Sequence, residues 1–279
     1  MTPSRRSSHN REMIEVNGCL CCHHHASVRV LYPSTFDGAD AESLFLRDRE
    51  KAVHDEIRRC DDCGFVFTGW QFTPEVYESI YKSQTFRFTK GDAKRQRRLV
   101  SVVISNTHGH RFVELGGGDG SFTEALLELG HLGKSFEVGD DFPRWAWDHE
   151  GSVDYIVAWD VLEHLPLLRR YLHSAQICLR RGGLILATLP NAESWAARIL
   201  GKRWPMYLLE HLWYFSPATL KRFAAQVGLV LIEARPIPFD VELGTISKRL
   251  RQHGIPCPDL PEWSVPLPIG NMLAVLRKP

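Results

Sequence analysis

The chain lacks any long apolar run. Nothing in it approaches the about 20 consecutive apolar residues that cross a bilayer, so no membrane span is expected. It also lacks an excess of one charge: 34 Lys and Arg stand against 33 Asp and Glu, a formal net charge of +1. Gripping a phosphate backbone needs a concentrated basic surface, so nucleic acid is not the expected partner. The first ten residues, Met1 to Asn10, are polar and basic with no apolar signal core, and a cytoplasmic location is the expectation. There is no internal repeat or low-complexity tract. Cysteine is scarce outside one region, because five of the seven lie between Cys19 and Cys63 and the others are Cys178 and Cys257. That clustering argues against the disulfide framework of a small secreted domain and points to metal. The rest is ordinary: 279 residues, 44% hydrophobic and 24% charged, enough to bury the core of one main domain and a small one.

The clustered cysteines form two Cys-x-x-Cys knuckles, Cys19 with Cys22 and Cys60 with Cys63. Four thiolates make a closed tetrahedral shell that suits a structural Zn²⁺, since a d¹⁰ ion accepts four soft sulfur ligands and leaves no position for water. Gly64 fits the tight turn after the second knuckle, and Phe65-Val66-Phe67 reads as a strand leaving it. Cys21, His23, His24 and His25 crowd the first knuckle and leave open which residues complete that half; the histidine triplet otherwise reads as a polar loop. Residues 27–32 alternate as a short strand, and 39–59 form a charged insert without readable chemistry. A module of this size builds little core alone, so metal binding would supply much of its folding energy.

Downstream, Thr73-Pro74-Glu75 reads as a helix start with Pro74 in the first turn. Lys90, Lys94, Arg95, Arg97 and Arg98 then lead into an apolar stretch at 99–104 and read as the solvated side of a helix. The most informative segment follows. Residues 111–115 form a short apolar strand, Gly116, Gly118 and Gly120 let the backbone turn with positive φ, and 121–129 carry helix-period apolar residues. A dinucleotide fingerprint would need a third glycine where Ser121 stands, so that fit is poor. An acid two positions before the first glycine, Glu114, followed by Gly-x-Gly-x-Gly, instead resembles the first motif of class I S-adenosylmethionine (SAM) methyltransferases. There the carboxylate at the strand end faces the cationic amino acid part of the cofactor. Residues 153–160 read as a central parallel strand delivering Asp160 at its carboxyl end, where ligands sit. A helix over 167–181 closed by Gly182-Gly183, a buried strand over 184–190, a helix over 218–226 capped by Ser216 and Pro217, and strands at 229–232 and 272–276 complete a strand-helix alternation. Residues 255–268 read as mostly irregular. This is an open α/β sheet with helices on both faces.

Taken together, the two knuckles, 60–67, 113–120, Trp159 to Pro166, Leu189-Pro190-Asn191 and Glu210 to Pro217 resemble the bacterial class I SAM-dependent methyltransferases that carry an N-terminal zinc-binding module. The resemblance implies a Rossmann-like α/β fold plus a small zinc-ribbon-like module. The division it implies is 1–72 for the module, 73–110 for a helical connector and 111–279 for the methyltransferase domain with C-terminal acceptor or lid segments. It implies SAM as cofactor, a structural zinc, and methyl transfer to a small-molecule or glycan acceptor.

One region departs from the family. Members place an acid at the end of the second strand for the cofactor ribose and another about twenty residues later beside the adenine. Here Glu137 falls at the first place and Asp140 at the second, with only Val138 and Gly139 between them. Either a helix and strand are missing, or one role is lost and the sheet is rearranged. Cofactor-side residues are therefore Glu114, Gly116, Gly118, Gly120, Glu137, Asp140 and Asp160. His164, just beyond the Asp160 strand end, is the first candidate base, since a neutral imidazole takes a proton near physiological pH; His211 and Tyr214 are the second candidates. Trp195, Trp204 and Trp213, with Met206 and Tyr207, suggest a lid, an acceptor pocket or simply core. Two competing readings are a catalytically silent relative that uses the zinc module for binding, and a nicotinamide oxidoreductase with Ser121 in place of the third glycine.

Overall fold

The computed structural model describes residues 13–23, 27–36, 53–82, 93–137, 139–252, 256–268 and 270–279. His24, His25, Lys90 and Val138 lie outside them. The N-terminal part contributes short strands β1 (Met13–Glu15), β2 (Val28–Tyr32), β3 (Ile57–Cys60), β4 (Val66–Thr68) and β5 (Trp70–Phe72), followed by helices α1 (Pro74–Lys82) and α2 (Ala93–Asn106). The alternation begins with β6 (Arg111–Leu115), α3 (Ser121–Glu128), β7 (Leu132–Phe136), α4 (Phe142–Asp148), β8 (Val153–Trp159), α5 (Leu168–Cys178) and β9 (Leu179–Pro190). Helix α6 (Trp195–Leu200), the two-residue β10 (Trp213–Tyr214), α7 (Pro217–Ala225), β11 (Val230–Pro236), β12 (Phe239–Glu242), α8 (Leu243–Gln252), β13 (Ser264–Leu267) and β14 (Asn271–Arg277) complete it.

Among the described residues the main sheet has six strands in the order β11-β14-β9-β8-β6-β7. Strands β6 to β9 are parallel to one another, and β14 and β11 close the far edge antiparallel. Period-two alternation splits each central strand between two cores. Val113, Leu115, Ile156, Ala158, Ile185 and Ala187 face a layer containing Phe142, Leu172 and Phe223 from α4, α5 and α7. Phe112, Tyr155, Val157 and Leu186 face Leu99, Val102 and Val103 of α2 and Phe122 and Leu126 of α3. The result is a Rossmann-like fold with helices on both faces of a mixed sheet.

The short region between Glu137 and Asp154 resolves as a truncation of the sheet. A doubly wound sheet of order 3-2-1-4-5 has a third strand flanking the second. Here β7, the second strand, is the edge, and β8 sits directly against β6. The chain passes from β7 through α4 alone to β8, so among the described residues no further strand or helix lies between them.

Three other segments differ from the sequence expectation. Helix α5 stops at Cys178 rather than running to Arg181, because Leu179 pairs with Val153 and the ladder resumes at Tyr155 and Leu184, five residues later on β9. Gly182, at φ 76°, lets the intervening residues bulge out. The segment read as irregular contains β13, paired antiparallel with β12, and α8 lies between that pair. Helix α7, by contrast, has the expected cap, with Ser216 and Thr219 forming a reciprocal capping box.

The cysteine-bearing part joins the main domain through shared structure. Strand β10 is the end strand of the sheet β10-β4-β3-β2, with Trp213 opposite Phe67 and Tyr214 opposite Val66. Phe65 stacks with Phe67 and Trp213 and tilts against Phe215. Trp204, Tyr207 and Tyr214 pack with Ile57 and Val66 in a third cluster, so these aromatics are core rather than lid. Trp195 is exposed. Trp213 is buried and its Nε1 donates to the carbonyl of Leu165 at 2.8 Å. Trp213→Ala should therefore lower the unfolding free energy by about 3–5 kcal/mol, the cost of emptying a large aromatic site, measured by chemical denaturation.

Candidate active site

The carboxyl ends of β6 and β8 meet where the chain reverses direction across the sheet, the position at which open α/β sheets bind ligands. Three carboxylates gather there. Glu114, near the end of β6, is 2% exposed and its Oε2 accepts from Thr123 Oγ1 at 2.6 Å. Burial pushes its carboxyl up to about 7; the Thr123 hydrogen bond works against this, while the nearby Glu137 and Asp119 add to it. Glu137 follows β7, and its Oε1 accepts from the backbone N–H of Gly118 at 2.7 Å. Burial raises its carboxyl as well, opposed by the Gly118 and Gly117 amides. The glycine loop is thus clasped by the acid at the end of the second strand.

Glycine is required in that loop on two counts. Gly116, Gly118 and Gly120 have φ of 71°, 59° and 77°, a region that L side chains rarely adopt. A Cβ on Gly116 would lie 2.5 Å from Val161 Cγ2, and one on Gly117 would lie 2.5 Å from Ser135 Cβ. The Gly116 N–H donates to Phe136 O at 2.7 Å, and Asp119 Oδ1 accepts from Ser121 N and Oγ, which turns the chain into α3. Asp140 lies one turn beyond Glu137, exposed, with Oδ2 accepting from the Glu137 N–H at 2.7 Å. The two acids therefore share a single tight turn, and Asp140 holds that turn.

Asp160 stands at the end of β8 with φ 56°, a conformation unusual outside glycine. Its Oδ1 accepts from Thr188 Oγ1 at 2.9 Å and Asn271 Nδ2 at 3.0 Å, and its Oδ2 accepts from Arg95 at 2.6 Å. Arg95 reads from sequence as part of a solvated helix face. In the structure it reaches inward from α2 to the sheet edge. Its partner Asp160 lies 65 residues away, so local charge patterning gives no signal of it. Thr188 and Asn271 escape notice for the same reason, and Thr123 because a threonine in a helix carries no distinguishing pattern.

Beyond Asp160, a 3₁₀ turn (Leu162–His164) carries His164 to the loop that precedes β10. The His164 and His211 rings lie edge to face with centroids 4.7 Å apart, and Tyr81 of α1 meets His164 at 6.5 Å. His164 is partly exposed and His211 buried. Tyr214 lies behind them, its ring meeting that of His211 with centroids 6.2 Å apart. It is fully buried in the third cluster, its hydroxyl within reach of the carbonyls of Leu208 and His211, and burial holds its phenol well above the ordinary range. As a candidate base it is displaced by packing: it anchors the loop that carries His211.

The four knuckle cysteines converge. Sγ of Cys19 and Cys63 are 3.5 Å apart, as are those of Cys22 and Cys60, and all four lie within 4.8 Å of one another. With Zn–S bonds of about 2.3 Å, a tetrahedron has edges of about 3.8 Å, so the donor set fits the ion. Cys21 stays beside Cys63 but donates its thiol to Thr219 O at 3.5 Å, and His23 faces Gln226 at 3.2 Å. Neither is part of the cluster. Gly64, at φ 77°, donates to Cys60 O and makes the tight turn of the second knuckle.

The sequence profile of a family described as methyltransferase domain matches residues 83–234, more than half of the chain. The chain belongs to the methyltransferase domain family. It is accordingly a SAM-dependent methyltransferase. The ubiquinone biosynthesis O-methyltransferase of Cupriavidus pinatubonensis is 21% identical over 166 residues, covering 49% of this chain and 67% of that one. A SAM-dependent methyltransferase from Archaeoglobus fulgidus shares 16% identity over 74% of this chain and 100% of its own, with a TM-score of 0.47. A chain from the complex of the Haloferax volcanii Trm112 methyltransferase activator with a methyltransferase shares 16% identity over 67% of this chain and 91% of its own, with a TM-score of 0.48. In this methyltransferase domain, Gly116→Ala should cost about 1–3 kcal/mol from backbone strain alone, before Val161 is displaced. Its urea midpoint against wild type measures the loss.

Proposed function

We propose that the protein transfers the SAM methyl group to a small-molecule or glycoconjugate acceptor bound beside His164 and His211. The observation that carries this is the buried Glu114 carboxyl next to a glycine loop held by Glu137, at the point where the sheet reverses. SAM supplies a methyl group on a cationic sulfur, which leaves with the bonding pair returning to that sulfur. The chain's own residues do the rest. Gly116, Gly118 and Gly120 allow close backbone approach, and Glu114, once ionised, offers the only charge of suitable sign at that depth among the loop residues described. Glu137 and Asp140 hold the turn that faces the ribose side, and Asp160, locked by Arg95, Thr188 and Asn271, sets the other wall of the crevice. His164 or His211 receives the acceptor proton as the acceptor atom is aligned with the methyl group.

The same reading divides the chain into a zinc module over 1–72, a connector over 73–110 and the catalytic domain over 111–279, with Cys19, Cys22, Cys60 and Cys63 holding a structural zinc. The support is the convergence of these four sulfurs within 4.8 Å of one another. Purified protein should retain one zinc per chain through dialysis, and Cys63→Ser should lose it and unfold at a lower temperature, read by elemental analysis and calorimetry. The truncated sheet favours the second reading, a catalytically silent relative.

Calorimetric titration with SAM separates the two readings, and Glu114 gives it a pH signature. An acid whose folded pKa is raised to about 7 is mostly protonated at pH 6. Binding a cation beside it drives the proton off. SAM affinity should therefore rise from pH 6 to pH 8 and then level, with proton release at pH 6.5 seen as a dependence of the measured heat on buffer ionisation enthalpy. Glu114→Gln should weaken binding at pH 8 by tenfold or more and flatten the pH dependence. A folded, zinc-loaded protein that binds no SAM would overturn the enzymatic reading.

A further inference from the structure

Next to the cofactor crevice, three Lewis-basic side chains converge in a way that methyl transfer does not require. One ligand atom from each of Glu163, His164 and His211 lies within 4.8 Å of the other two. Glu163 is 1% exposed and His211 5%, while His164 opens toward solvent. The tautomers follow from the partners. His164 Nδ1 lies 3.0 Å from Glu210 O and His211 Nδ1 lies 2.7 Å from Met206 O. A carbonyl can only accept, so each Nδ1 carries a proton and each neutral ring presents the Nε2 lone pair. That is the outer-sphere pattern that orients metal-ligating histidines. The site is also built from both sides. Leu212 N donates to Glu163 O at 2.8 Å, tying the 3₁₀ turn to the loop, and Thr68 Oγ1 of β4 donates to His211 O at 2.7 Å.

We propose that Glu163, His164 and His211 bind a divalent first-row cation through one carboxylate oxygen and two Nε2 atoms. Two imidazoles and a carboxylate are the donor set preferred by Mn²⁺, Fe²⁺, Co²⁺ and Zn²⁺ with open positions, and are unlike the four-sulfur set of the knuckles. Ligand bonds of about 2.1 Å put two donors at most about 4.2 Å apart, and donors within 4.8 Å of one another need only draw together to reach that spacing. With the ion bound both Nε2 atoms are occupied, so the ion takes over from the histidines as base: an acceptor hydroxyl held on it would lose its proton to solvent, and the resulting alkoxide or phenolate oxygen would then take the methyl group. This acceptor role rests on the methyl-transfer reading; binding of the ion does not.

Mn²⁺ is the probe, because as a hard ion it competes poorly for four thiolates. Zinc-loaded protein is titrated with Mn²⁺, and free Mn²⁺ is followed by electron paramagnetic resonance. One Mn²⁺ per chain is expected, weakened at least tenfold in His164→Asn, whose partly exposed position tolerates the change, and in Glu163→Gln. Both variants should keep their zinc and their thermal unfolding. Absence of binding up to millimolar Mn²⁺, or binding unchanged in both variants, overturns the proposal. SAM titrations on the same samples keep the two inferences apart: SAM binding without Mn²⁺ binding leaves methyl transfer standing and removes the ion, whereas Mn²⁺ binding lost in the variants without any SAM binding upholds the ion and removes its acceptor role.

Discussion

Two residues of backbone pairing, Trp213 and Tyr214 against Phe67 and Val66, are the constraint on which the arrangement of this molecule depends. Without them the cysteine-bearing sheet would lack its end strand, and the loop that carries His211 would lack a fixed exit. The pairing is short, so its strength comes from what surrounds it. Phe65, Phe67, Trp213, Phe215 and Phe223 form a run of ring contacts that continues into the face of the main sheet lined by α5 and α7. Arg169 of α5 donates to Leu20 O and to Gln226, whose own amide reaches Cys21 O, so the first knuckle is tied to the same helices. The cysteine-bearing part therefore acts as a buttress for one wall of the crevice.

At the crevice itself the governing feature is that each acidic group has a backbone or side-chain donor of its own. Glu114 takes Thr123, Glu137 takes Gly118, and Asp160 takes Arg95, Thr188 and Asn271. Burying carboxylates in such a site would be costly without these donors, and the cost shows where the donors are weakest: Glu114, with one hydroxyl, is the acid whose pKa moves into the neutral range. An energetically uncomfortable carboxylate facing a ligand crevice is poised to pair with a cation.

The features legible in the sequence are those whose physics is local. Alternate glycines after an apolar strand report a positive-φ turn, and Gly116, Gly118 and Gly120 all adopt one. Cys-x-x-Cys spacing reports a knuckle, and the four sulfurs meet. Ser216-Pro217 reports a helix start, and α7 begins there. What escaped is non-local. Arg95 looks like any cation on an amphipathic helix until β8 arrives beneath it, and Tyr214 looks like a candidate base until its burial beside Trp204 and Tyr207 is seen. The spacing of Glu137 and Asp140 revealed that something was short, but only the sheet order shows that β7 has become the edge.

The β4–β10 pairing also bears on how the chain assembles. In chain order both cysteine knuckles precede the strand that completes their sheet, so the four thiols are made before it. The strand that completes their sheet emerges about 150 residues later, and long-range pairing of that kind is slow to form. Until it does, the aromatic face of Phe65 and Phe67 has no cover from Trp213 and Phe215. Burial of that face therefore waits on residues about 150 positions further along the chain.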